Sequence, residues 1–130
     1  SVGQHSVLSS LLVPQEFALE ALLHDAAEAY LQDIPAPLKH LLPDYRAMEI
    51  RVDAAIRQKF GLPDEQHPTV KYADLVMLAS ERRDFEIDDG TVWPMLEGII
   101  PTDQFVINPV RPGQAYGMFM NRFHQLMERR

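Results

Sequence analysis

Ten prolines divide this chain, and their spacing constrains the fold more than any other feature. Pro14, Pro35, Pro37, Pro43, Pro63 and Pro68 bound stretches of helical length, while Pro94, Pro101, Pro109 and Pro112 crowd a single segment. Proline inside a helix removes a donor and clashes with the preceding turn, yet it is tolerated in the first turn. It also pushes the residue before it toward extended conformations. Between the prolines, apolar residues recur at spacings of three and four, and no period-two alternation extends beyond a few residues. These features predict an all-α chain, a compact bundle of about five or six helices, with residues 1–130 forming one domain.

The expected helices follow from that punctuation. Residues 4–12 place Val7, Leu8, Leu11 and Leu12 on one face. A second helix is expected over 15–31, with Ala18, Leu19, Leu22, Ala26 and Ala29 at helical spacing. A third runs from Asp44, as N-cap, to Phe60, with Gly61 as its stop. A fourth spans Thr69 to Phe85, with Val70, Ala73, Val76 and Met77 as its apolar stripe. Residues 81–86 (ERRDFE) read as its exposed end. Residues 87–113 are expected to form short helical turns near Trp93–Leu96, or a lid or interface loop. A last helix over 114–128 stacks Tyr116, Phe119, Phe123 and Met127 as core or interface, and Arg129 and Arg130 suit the negative end of its dipole.

Composition bounds the function. Apolar residues make up 46% of the chain, enough for a globular core. The absence of cysteine rules out disulfides and thiolate metal sites and fits a cytoplasmic location. No apolar run approaches the roughly 18 residues that a membrane span needs, so no membrane partner is expected. A formal net charge of −7 argues against polymeric nucleic acid as a partner. The first residue is Ser and the helical pattern begins at once, so an upstream segment is expected.

Several polar residues contradict the apolar pattern around them. In ALLHDAAEAYLQDIP (21–35), His24 and Asp25 interrupt an alanine- and leucine-rich run, and Glu28 follows at a spacing that puts all three on one helical side. His5 precedes the stripe of the first helix, and Asp74 sits within VKYADLVMLA among apolar neighbours. Isolated charges against an apolar wall cost several kcal/mol unless paired or neutralised. A shared divalent cation resolves the conflict. His5, His24, Asp25 and Asp74 are therefore the expected ligands, and their nitrogen and oxygen donors suit Mn, Co, Zn, Mg, Ni or Fe.

The pattern H…HD…D over a helical domain resembles the HD superfamily of metal-dependent phosphohydrolases. GQHSVLSSLLV, ALLHDAAEAYLQDIPAPLK and VKYAD are similar to the corresponding segments of the bacterial 5′-deoxynucleotidase branch and its phage and prophage relatives. The likeness covers residues 3 to about 85, and AYGMFMNRFHQL adds a weaker match near the C-terminus. The resemblance implies the HD-domain fold, with the same four residues as metal ligands. It implies Glu28 as the carboxylate beside the attacking water and Asp33 as a second acidic residue linked to activity. The family's substrate-contacting residues ahead of the first His, often an Arg and an aromatic, have no counterpart here.

The expected function is metal-dependent hydrolysis of a (deoxy)nucleotide. It would proceed by 5′-phosphomonoester cleavage of deoxynucleoside monophosphates or by triphosphate release from dNTPs. Glu28 would orient or deprotonate the water, while Asp33 would protonate the leaving oxygen or hold the geometry. Lys71 and Lys39 are candidate phosphate contacts. The substrate is a small nucleotide, and self-assembly into a homo-oligomer is expected. The alternative is a catalytically silent, nucleotide-binding regulatory HD domain. A helical interaction module with structural His and Asp is a third reading, which requires no metal.

Overall fold

The prolines open the helices as well as separating them. In a computed structural model, which describes residues 1–85 and 87–129, Pro43, Pro68 and Pro112 are the first residues of the three longest helices. The missing N–H of proline costs nothing there, because the first amides of a helix have no intrahelical partner. The elements are α1 (Val2–Leu11), α2 (Ala18–Leu22), α3 (Glu28–Leu31), α4 (Ala36–Lys39), α5 (Pro43–Lys59), α6 (Pro68–Asp84) and α7 (Pro112–Glu128), with 3₁₀ turns at Gln15–Phe17 and Pro94–Leu96. The chain is an all-α, compact helical bundle, and no strand occurs among the described residues.

Several boundaries differ from expectation, α1 running Val2–Leu11 rather than 4–12. Helices α5, α6 and α7 begin at their prolines rather than at Asp44, Thr69 and residue 114. Asp44 does not cap α5; it lies in the first turn, where a carboxylate faces the positive end of the dipole. His67 caps α6, its Nδ1 accepting from the Thr69 N–H at 3.1 Å while its ring stacks on Phe17. The largest departure is the expected helix over 15–31, which divides into a 3₁₀ turn, α2, an irregular turn and α3. By contrast Gly61, at φ 67°, ends α5 as expected. Leu62 N–H donates to the Arg57 carbonyl at 2.8 Å and closes the terminus.

Helix α1 packs against α2, α6 and α7, and α2 packs against α6 and α7. Val7, Ala18, Leu19, Leu22, Leu23 and Leu126 form the buried cluster, with Phe60, Phe119 and Phe123 against it. The α6 stripe of Val70, Ala73, Val76 and Met77 is buried as expected. The inner face of α1 is a different matter. Ser6, Ser9 and Ser10 are buried with Val7, while Leu11 is half exposed. Small residues let the helices approach closely. A Cβ built on Gly3 would stand 3.4 Å from the Ala115 carbonyl oxygen of α7. Arg122 of α7 donates to Ser10 Oγ at 2.9 Å, linking the same two helices through polar atoms.

Residues 87–113 contain the short helical turn expected near Trp93–Leu96. The rest of the segment is fastened to the bundle by polar side chains. Thr102 N–H donates to Ser80 Oγ at 2.9 Å, Ile107 N–H to Asp84 Oδ2 at 2.8 Å, and Gln4 Nε2 to the Asn108 carbonyl at 2.6 Å. On α7, Phe119 and Phe123 line the core, but Tyr116 is exposed. Arg129 is the C-cap of α7; Glu86 and Arg130 lie outside the described residues. No helix of the described residues is long and apolar enough to cross a membrane.

Candidate metal centre

Three elements bring four side chains together. His5 projects from the first turns of α1, Asp74 from the middle of α6, and His24 and Asp25 from the turn between α2 and α3. One ligand atom from each lies within 4.8 Å of the others. Asp74 Oδ1 is the hub, 2.8 Å from His5 Nε2 and 3.2 Å from His24 Nε2. Asp25 Oδ2 lies 3.1 Å from the same His24 nitrogen. These three separations lie close to the ~3.4 Å between donors that share a tetrahedral ion, and all four atoms lie within 4.8 Å of one another, so the donor set is compact enough to share one. Two imidazoles and two carboxylates match hard and borderline divalent cations.

The break in the expected helix is what builds this site. In an unbroken α-helix the Ala21 carbonyl would accept from Asp25 N–H. Instead, His24 Nδ1 lies 2.6 Å from that oxygen, and the backbone bonds that follow tighten to i→i+3: Ala26 to Leu23, Glu28 to Asp25, Ala29 to Ala26. The imidazole competes with the helix for its own carbonyl. His24, Asp25 and Glu28 are therefore not stacked on one regular helical face. The same bond makes Nδ1 a donor, so Nε2 is the nitrogen that faces Asp25 and Asp74 and the one whose lone pair would meet an ion once its proton is lost.

Metal-free, the cluster holds protons. Burial disfavours an imidazolium at His5, but hydrogen bonds to Asp74 and Glu81 outweigh it and raise the pKa to about 9. Burial likewise opposes charge at His24, and Asp25 and Asp74 overcome it, raising the pKa to about 10. For Asp74, burial alone would favour the neutral acid; the bonds from His24 and His5 hold the group far below the usual carboxylate range. The two imidazoles and Asp74 thus favour one another's charged forms.

Glu28 and Asp33 stand outside the four-atom cluster. Two cavities meet at Asp25 and Glu28. One, of about 520 Å³, is apolar, with Leu22, Ile56, Phe60, Phe119 and Phe123 in its wall and Asp33 at its rim. The other, of about 290 Å³, is polar and includes His24, Lys39, Asp53 and Arg57. Burial, then repulsion from Asp25 and Asp33, pushes the Glu28 carboxyl up to about 7. Asp33 is exposed and follows Gln32, whose φ of 62° is uncommon for a residue with a side chain. Tyr45 donates to the Gln32 carbonyl.

The two lysines differ. Lys71 is exposed, and its Nζ lies 3.7 Å from Asp74 Oδ2, at the edge of the cluster. Lys39 is engaged by Glu49 at 3.0 Å and sits 3.9 Å from Asp33, with its ammonium facing the Tyr45 ring. It lines the polar cavity but is already paired with carboxylates.

The sequence reading missed Glu81. Placed there in an exposed helix end, it instead contacts His5 Nδ1 and is largely covered. The available signal was its spacing of seven residues from Asp74, two turns along the same face of α6. A second buried network also escaped notice. Arg57 and Glu20 are almost fully buried; the guanidinium lies 3.6 Å from Glu20, 3.0 Å from Asp53 and 2.9 Å from the Pro63 carbonyl, while Glu20 accepts from the His67 N–H.

Comparison with known proteins supplies a family. All 130 residues align at 65% identity with the uncharacterized protein YfdR of Escherichia coli (strain K12), and they cover 73% of that protein. The chain belongs to the YfdR family. A second relative, the uncharacterized protein RCAP_rcc00048 of Rhodobacter capsulatus, is 37% identical over 71 residues, which is 48% of this chain and 36% of that protein. No family model matches the sequence.

Proposed function

We propose that this chain is a metal-dependent phosphohydrolase of HD type acting on a nucleotide. The convergence of His5, His24, Asp25 and Asp74 within 4.8 Å carries this reading. These four residues would hold a divalent cation. When bound, the cation supplies Lewis acidity, making water more acidic and offsetting charge on a phosphoryl oxygen.

The chain's own groups account for the other requirements. Glu28 borders the cluster through Asp25, and with its carboxyl near neutrality it can take a proton from water under ordinary conditions. Lys71, exposed beside Asp74, meets an incoming phosphate electrostatically. The apolar cavity, with Phe60, Phe119 and Phe123 in its wall, has the volume and chemistry to receive a flat ring. The adjoining polar cavity suits a hydroxyl-bearing sugar. This pairing favours a nucleotide over a small sugar phosphate. Asp33, at the rim, is assigned to the leaving group. Self-association belongs to the same proposal.

The test is a screen of metal-stripped protein. Manganese, cobalt, magnesium or zinc is restored, and phosphate and tripolyphosphate are followed over nucleoside mono- and triphosphates. Release that depends on the ion supports the proposal. Ion uptake without release from any nucleotide returns the site to the silent regulatory reading, and absence of ion uptake removes the metal centre.

A further inference from the structure

We infer that Glu81 is a positioning residue for the metal centre, fixing His5 so that its Nε2, and not its Nδ1, faces the ion. The inference rests on the proposed metal site and deepens it.

The His5 ring lies between two carboxylates of one helix. Its Nε2 meets Asp74 at 2.8 Å, and its Nδ1 meets Glu81 Oε1. Asp74 and Glu81 are seven residues apart on α6, so a single rigid element holds both ends of the imidazole. Glu81 shares a narrow crevice with Ser1, Gln4, Leu8, Phe85 and Ile107, and its partial burial there strengthens a hydrogen bond to His5. A carboxylate that accepts from Nδ1–H selects the tautomer with a lone pair on Nε2 and makes that nitrogen a better donor to a cation. His24 reaches the same end differently, through the Ala21 carbonyl. A backbone carbonyl cannot be mutated away, so among the described residues Glu81 is the outer partner of these two imidazoles that substitution can remove.

The experiment compares the full chain with Glu81→Ala and Glu81→Gln. All are stripped of metal and titrated calorimetrically with Mn(II) and Co(II), with the Co(II) visible spectrum recorded at saturation. Removing an outer partner of a metal-bound histidine costs about 10- to 100-fold in affinity, and that loss is expected for Glu81→Ala. Glu81→Gln keeps an oxygen that accepts from Nδ1–H, so it should retain the wild-type spectrum and most of the affinity. A purely structural Glu81 would lower thermal stability in both variants and leave affinity and spectrum unchanged; that result overturns the inference.

A second measurement needs no variant. Nitrogen-15 shifts of His5 in the zinc-loaded wild type should show a protonated Nδ1 and a metal-bound Nε2, and the reverse pattern overturns the inference even if Glu81→Ala fails to fold. Wild-type protein that takes up no ion defeats the metal-site reading itself. Wild-type uptake with undiminished uptake by Glu81→Ala defeats only the role of Glu81.

Discussion

Asp74→Ala is the sharpest perturbation of the site, because both imidazoles converge on one oxygen of that side chain. Without metal, the substitution removes two hydrogen bonds to a charged acceptor, each worth about 1.5–3 kcal/mol. It also relieves the desolvation of a partly buried carboxylate, which leaves a net loss of about 2 kcal/mol. For 130 residues, at about 2.1 cal/mol/K of unfolding entropy per residue, that is a fall of about 7 °C in Tm. The pH dependence follows from the imidazoles. Their folded pKa values, about 9 and about 10, lie above the ordinary 6.5, so their pairing with Asp74 stabilises fully below about pH 6.5 and fades as pH rises through 9 to 10. The gap between wild type and variant should be wide at pH 6 and nearly closed at pH 10.5. Added ion should then act on one protein alone. At 100 times its Kd, an ion stabilises wild type by about 2.7 kcal/mol, or about 10 °C, and leaves the variant unmoved. Thermal melts followed by circular dichroism, with and without Mn(II), measure both effects. Equal ion-induced shifts in the two proteins, or a gap independent of pH, would refute the proposed convergence.

Glu28→Ala should retain metal but lose about 10²- to 10⁴-fold in turnover, and an unchanged rate would remove Glu28 from the chemistry. In wild type, a Glu28 acting as base must be ionised, so ion-loaded activity should rise with pH toward a plateau near or below pH 7, since a neighbouring cation can only lower the pKa of about 7; a rate that falls over this range contradicts the role. Ion uptake must expel protons from His5 and His24, so calorimetry in buffers of differing ionisation enthalpy at pH 7 should register proton release. Arg57→Ala leaves buried Glu20 without its cation and should cost about 3–5 kcal/mol, measured by urea denaturation, with metal affinity intact. Leu22→Ala, at a fully buried position of the core cluster, should cost about 2–5 kcal/mol in the same assay.

Three of the four candidate ligands were legible because each breaks a local rule, while His5 stands among polar neighbours ahead of the first apolar stripe. His24 and Asp25 interrupt an alanine-rich run, and Asp74 stands among Leu75, Val76 and Met77. Such conflicts between a residue and its pattern concentrate at functional sites. Glu81 breaks no rule, since a glutamate near a helix end followed by Arg82 and Arg83 is ordinary surface sequence. Only the approach of α1 to α6 gives it a partner. The serines of α1 misled in the opposite sense. Ser6, Ser9 and Ser10 read as polar, yet tight helix packing buries them while Leu11 stays half exposed.

By itself, the sequence determined what depends on neighbours along the chain. Proline spacing and three-to-four periodicity set the helical class, and Gly61 set the end of α5, because steric limits and hydrogen bonding within a turn act over a few residues. Tertiary structure alone decided where the second helix breaks, since the His24 imidazole takes the Ala21 carbonyl while facing Asp25 and Asp74. It also decided which carboxylate backs His5 and which cavities flank Glu28. Those outcomes depend on contacts between residues far apart in the sequence, 76 positions for His5 and Glu81, which no local pattern encodes.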